Sequence, residues 1–302
     1  MTAQLSPDIP RPKPGPFIQL MGEAFLLLGR YFVVVYPIFL YFILRSLVTH
    51  QALPNYRHWE WWVVTIGFIA IWFLFEGGWH AMTFQAVELH EKQRTEPPPP
   101  DVPLEIVFPF ALLRAFIPGI GEYGARFLTG GFLNILLFAL PGALVLWLGY
   151  RMIGIPKVVL PFLTAPELNS QQMQQAFMAA SPHEQIQLAM WDGIFWALLL
   201  IIFLVTLLTM YWRPYVLIKQ IRPPMAFWKS ALFVFTHPLL TLQIMALSVF
   251  LGLAAGMLAS LSAWTAFIGF FLLLLTLLFM QFLLYLILYR TDGPQHPPAE
   301  TP

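Results

Sequence analysis

Glu76 and His80 are the residues best placed to do chemistry. They stand four apart in Glu76-Gly77-Gly78-Trp79-His80, inside a long apolar run over residues 61–90. On a helix, positions four apart share a face. A carboxylate beside an imidazole could relay a proton, hold an ion or contact a polar substrate. The alternative is structural: a carboxylate hydrogen-bonded to a neighbouring helix, or one that snorkels to the interface. About 15 apolar residues precede Glu76, roughly 22 Å of helix, and the hydrocarbon core is about 30 Å thick. Glu76 therefore falls within one leaflet. A charge there must face protein or water and be paired or protonated.

Glu122, Tyr123 and Arg126 lie in a Gly-rich stretch over residues 119–126. They could close a pocket with His80, or Glu122 could simply favour a helix start through the dipole. His80, Glu88 and His90 invite a metal, but their spacing matches no metal signature, and a solvated helix end explains them. Asp192, next to Trp191, reads as an interfacial anchor. The chain contains no GxSxG, HExxH, phosphate-binding loop or calcium loop. No catalytic residue, metal or cofactor is assigned. The leading expectation is a non-enzymatic transporter-like unit or an accessory subunit of a membrane assembly. The alternative is an intramembrane lipid-active enzyme using Glu76 and His80 as acid and base.

One motif concerns packing. Ser248, Gly252, Gly256 and Ser260 form a small-xxx-small ladder, widened by Ala255 and Ala259. Small residues let helix backbones approach closely in lipid. The ladder predicts a packing seam, within the chain or with a second copy or another membrane protein.

The elements that position these residues follow from composition. Of 302 residues, 59% are apolar and 10% charged, against about 25% charged in soluble domains. The apolar residues fall in runs of roughly 20, the signature of a polytopic, all-α transmembrane bundle in a lipid bilayer. The 28 Phe and 11 Trp suit lipid-facing and interfacial positions. Net charge is +1 without a basic block, which gives no sign of nucleic-acid binding. Cysteine is absent, which removes disulfides and thiolate chemistry.

Six spans are predicted, at about 31–49, 61–83, 127–150, 191–211, 238–261 and 264–289. Together they form one transmembrane domain over 17–290. Pro-rich tails at 1–16 and 291–302 read as disordered, and no cleavable signal pattern opens the chain. Residues 17–30 have helical periodicity and read as an interfacial helix. Pro37 should kink span 1 or mark the turn into the membrane. Residues 104–120 hold Pro109, Arg114 and Pro118 and read as an interfacial or re-entrant segment, followed by a Gly-rich turn. Ser181-Pro182-His183-Glu184 is a capping box with Pro at the first helical position. Residues 213–236 are basic, amphipathic and broken at Pro223-Pro224. An echo links Met21 to Phe25 ahead of Pro37 with Met225 to Phe227 ahead of Pro238. It fits a repeated hairpin plan, or chance in so biased a composition.

Twelve Lys and Arg fall on the side shared by both ends of the chain. The other side holds four, Arg45, Arg57, Arg151 and Lys157. The positive-inside bias then puts both termini in the cytoplasm of a cell-membrane protein.

Gly78-Trp79, Arg94 with the prolines of 97–100, and Gly130-Gly131 ahead of Leu133 and Pro141 carry a resemblance. Over about residues 20–290 the chain resembles uncharacterised bacterial six-helix membrane families related to the membrane domain of some glycerophosphodiester phosphodiesterases. The resemblance implies a six-span fold and supplies no catalytic residues. The hydrolase domain itself is not part of these 302 residues.

Overall fold

A computed structural model describes residues 16–52, 58–95, 104–156, 178, 180–261 and 263–293. The tails before residue 16 and after 293, the proline run 97–100 and the Gln-rich piece 171–175 lie outside the described residues. The chain is an all-α, polytopic helical bundle. In order come α1 (Phe17–Arg30), a 3₁₀ turn (Phe32–Val35), α2 (Tyr36–Ala52), α3 (His58–Thr95) and α4 (Leu104–Ile153). Then follow α5 (Pro182–Thr209), α6 (Trp212–Ile218), α7 (Pro223–Thr236), α8 (Pro238–Leu261) and α9 (Ala263–Asp292). By length and apolar content five helices can cross a membrane, or six if the bent pair Phe17–Arg30 and Phe32–Val48 counts as one.

The bend in that pair is 76°. It falls at Tyr31, ahead of Pro37, which sits in the first turn of α2 where its missing N–H has no helical partner to lose. α1 buries Leu20, Ala24, Leu27 and Leu28. Phe25 and Leu26 point outward. The capping box is formed: the Ser181 N–H donates to Glu184 Oε2 at 3.0 Å, and the Glu184 N–H donates to Ser181 Oγ at 3.4 Å.

Two boundaries differ from the sequence reading. α3 continues to Thr95, well past the span end expected near residue 83, with Glu88 and Lys92 paired at 3.0 Å one turn apart. α4 is one continuous helix of 50 residues, about 75 Å long. The expected break and Gly-rich turn at 119–126 are absent. Pro109 and Pro118 each remove one backbone bond without ending the helix. The glycines serve close packing instead. A Cβ at Gly119 would lie 2.5 Å from the Ala81 Cβ, and one at Gly77 2.9 Å from the Gly124 backbone N. α3 and α4 therefore cross backbone to backbone.

The chain divides into two compact units. One comprises residues up to Gly131 together with Thr209 onward, and the other Phe132–Leu208. The core of the first is the C-terminal half of α9. From Leu278 to Leu288 nearly every side chain is buried, as expected of a helix that is apolar all round. α8 packs along it, and α1, α3 and α6 cover the rest. In the second unit, α4 and α5 pack at Gly149, where a Cβ would meet Ile194 at 2.2 Å. Gln187 Nε2 and Trp191 Nε1 donate to the carbonyls of Ile153 and Gly154 at 2.9 and 2.8 Å. Its outer surface exposes Leu140, Leu144, Trp147, Phe195 and Trp196. Such an apolar surface is stable in lipid and a liability in water.

Candidate functional site

Glu76 is only 3% exposed and is fully bonded. Arg213 of α6 grips it through two parallel bonds, Nε to Oε2 at 3.0 Å and Nη2 to Oε1 at 3.1 Å. Trp72, one turn earlier on α3, donates Nε1–H to Oε1 at 2.8 Å. A two-pronged guanidinium–carboxylate pair is the strongest ionic geometry available to side chains. It also offsets the desolvation of a charge held in the membrane. The Arg213 guanidinium rests 5.0 Å over the Trp212 ring. Gly130 makes room for that ring, since a Cβ there would lie 2.3 Å from it.

His80 is also buried but does not bond to Glu76. Its Nδ1 faces the Tyr285 hydroxyl of α9 at 3.0 Å, and its ring packs on Phe127. The shared helix face therefore carries two separate polar pairs, Glu76–Arg213 and His80–Tyr285. A third set lies alongside. The Thr83 hydroxyl donates to the Trp79 carbonyl at 3.0 Å and accepts from Gln281 Nε2 at 2.7 Å.

These groups surround a cavity of about 420 Å³ in the first unit, within the range of small-molecule sites. α3 contributes Trp72, Glu76, Trp79 and His80, and α6 contributes Arg213 and Pro214. Ser248 and Gly252 come from α8, and Leu273, Leu277, Gln281 and Tyr285 are among those from α9. Most of the wall is apolar, and its polar members include Glu76, His80, Arg213, Gln281, Ser248 and Thr276. A hollow of about 360 Å³ in the second unit is lined by apolar residues and by Gly142. It offers no side-chain polar group to orient a ligand.

The other sequence candidates lie elsewhere. Glu122, Tyr123 and Arg126 do not line the cavity. Arg126 stacks on Tyr123 at 5.9 Å and donates Nη1–H to the Gln220 carbonyl at 3.3 Å. Gln220 has φ 52°, so the guanidinium pins a backbone turned into the left-handed region. Asp192 is exposed on α5. The set His80, Glu88 and His90 does not assemble. His90 instead lies near Glu23 and Glu91, and Arg290, 3% exposed, binds both carboxylates. This cluster ties α1, α3 and α9 together. Lys219 fixes the end of α9 through Asp292 at 3.0 Å and the Gly293 carbonyl at 2.7 Å.

The ladder on α8 divides. Ser248 and Gly252 face the cavity, whereas Gly256 and Ser260 are exposed. A Cβ at Gly252 or Gly256 would meet nothing within 4 Å. Within the chain, among the described residues, the ladder is therefore not a close helix seam, and its inner half is a cavity wall. Thr241, Ile244, Met245 and Ala255 are the buried positions of α8. The side chain of Ala259 lies outside the described residues.

Arg213, Tyr285, Gln281 and Trp72 complete the site and were not singled out in the sequence. Arg213 is the first cation of the basic stretch 213–236, directly after an apolar run, and nothing in its spacing marks it as the counter-ion of Glu76. Fold and site define a polytopic helical membrane protein with a partly polar cavity among its apolar helices. The chain matches no family model, no curated protein and no solved structure.

Proposed function

We propose that this chain is a non-enzymatic membrane protein whose cavity holds a small amphipathic molecule within the bilayer, as a transporter-like unit or an accessory subunit of a membrane assembly. One observation carries the reading: a cavity of about 420 Å³ whose wall is mostly apolar but includes Glu76, His80, Arg213 and Gln281. That mixture suits a molecule with a polar end and an apolar remainder. Small residues at Ser248 and Gly252 keep the space open. The resemblance to bacterial six-helix membrane families and the basic asymmetry, with both termini cytoplasmic, support the same frame.

The enzymatic alternative finds less support. Glu76 is committed to Arg213 and Trp72, so it is not a free base, and His80 bonds to Tyr285 rather than to Glu76. An acid–base pair needs both groups within reach of one reacting atom and free to exchange protons with it.

The test is retention. The full chain, purified in detergent and washed exhaustively, is extracted and its amphiphiles counted per protein. About one tightly held molecule per chain is expected for a site of this volume, and its loss in Gly252→Leu. Equal retention by both proteins would overturn the reading.

A further inference from the structure

We infer that α7 is an in-plane membrane helix that seats its outer face in one leaflet and gathers anionic phospholipids there through Arg222 and Lys229. The helix is held firmly on its inner side. That side buries Pro223, Ala226, Ser230, Phe233 and Val234. Ser230 Oγ accepts the Tyr211 backbone N–H at 3.0 Å. Phe227 stacks on Trp212 with ring centres 5.0 Å apart, and Phe233 packs on Tyr211 at 4.5 Å. Anchored in this way, α7 cannot roll to hide its other side.

That other side is apolar. Met225, Trp228, Leu232 and Phe235 recur three or four residues apart, which puts them in one row, and they are 47–73% exposed. A row of large apolar side chains is a liability against water. It also adjoins a surface that lipid covers. Only His237 separates α7 from α8, which exposes Leu239 and Leu242 in its first turns. The stretch Pro238–Leu258 is long and apolar enough to cross a membrane. Lipid therefore meets Leu239 and Leu242, and across a one-residue joint the same lipid meets Phe235 and Leu232. α7 has 14 residues, about 21 Å of helix, too short for a hydrocarbon core of about 30 Å. It lies in one leaflet, as amphipathic interfacial helices do.

Charge identifies the lipid. Arg222 stands at the N-cap of α7, and Lys229 follows two turns on, beside Trp228 at the border of the outer row. Both are exposed, and among the described residues neither has an acidic partner. Arg213, Lys219 and Arg290, by contrast, are matched by Glu76, Asp292 and the Glu23–Glu91 pair. Long basic side chains next to a lipid-seated face extend to headgroup level, where phosphate oxygens are the available anions. Each such cation favours a net-negative lipid surface. A zwitterionic headgroup brings its own ammonium and offers less attraction. A second copy of the chain seated here by two-fold symmetry would bring the same cations together, which disfavours it.

The experiment uses the full chain, which has no cysteine of its own, in nanodiscs. A bimane label is attached through Leu232→Cys or Phe235→Cys, with Leu253→Cys on the exposed side of α8 as reference. Its quenching is measured with dibrominated acyl chains carried by phosphatidylcholine or by phosphatidylglycerol, each diluted in plain phosphatidylcholine. Both α7 positions should be quenched as strongly as Leu253. At both, phosphatidylglycerol should associate about fivefold more strongly than phosphatidylcholine, the effect of about one cation at an anionic surface. Arg222→Gln combined with Lys229→Gln should erase that preference while leaving phosphatidylcholine quenching and thermal stability at the parent level. No quenching at Leu232 and Phe235 with Leu253 quenched would overturn the inference, and would mean that protein or water covers the row. Equal association of the two lipids, or a preference that survives the double substitution, would overturn it as well. Neither result bears on the cavity, which the outer row of α7 does not line.

Discussion

Glu76 owes its place in the membrane to a partner 137 residues away. Replacing one member of such a pair strands the other charge. Glu76→Gln and Arg213→Gln should each lower stability by about 1–3 kcal/mol, since Arg213 retains some solvent. The double substitution restores neutrality and should cost less than the sum of the two. Thermal unfolding of all four proteins in detergent gives the coupling directly, and strict additivity would mean that the pair contributes nothing. Arg290→Leu should be more damaging, about 3 kcal/mol or more, because it removes the buried guanidinium that bridges Glu23 and Glu91 and leaves Glu91 the more distant, half-exposed Arg94 at 3.9 Å. Glu76 and His80 were legible in the sequence because ionisable residues are rare in apolar runs and must be compensated. Their partners were not. Arg213 reads as one more basic residue at a loop, and Tyr285 and Gln281 lie in an apolar stretch whose pattern does not reveal its facing helix.

At the scale of elements, glycine plays opposite parts on different helices. Gly77 and Gly119 are where α3 and α4 touch backbone to backbone, so a side chain at either one collides with fixed atoms. Gly252 and Gly256 on α8 face open space. Gly119→Val should therefore lower thermal stability clearly. Gly252→Leu combined with Gly256→Leu should stay close to the parent. The reverse order would show that α8, not α3 and α4, holds the tight seam. Spacing alone could not separate these cases, because a small-residue stripe looks the same whether it faces a helix or a cavity. The helices themselves were readable, since 20-residue apolar runs have few other solutions. The boundary inside α4 was not. Pro118 and the following glycines look like punctuation in sequence, but they sit in a helix whose remaining backbone bonds and packing against α3 carry it through.

On the scale of the whole molecule, the basic asymmetry and the cavity are separate claims with separate tests. Reporter fusions after Arg290 and within residues 171–175 should report opposite sides of the membrane. Agreement between the two would refute the span count. The cavity is tested most directly by mapping where a lipid chain sits. A neutral amphiphile with a photoreactive diazirine in its chain is incorporated with the full chain in nanodiscs, cross-linked, and located by peptide mass spectrometry. Met280 and Leu284 line the cavity, with Met280 almost fully buried, whereas Phe250, Leu253 and Met257 are exposed on α8. Expected are saturable adducts at Met280 and Leu284 that excess unlabelled amphiphile displaces and Gly252→Leu abolishes. Adducts confined to Phe250, Leu253 and Met257, rising with probe concentration without saturation, would contradict an occupied intramembrane cavity.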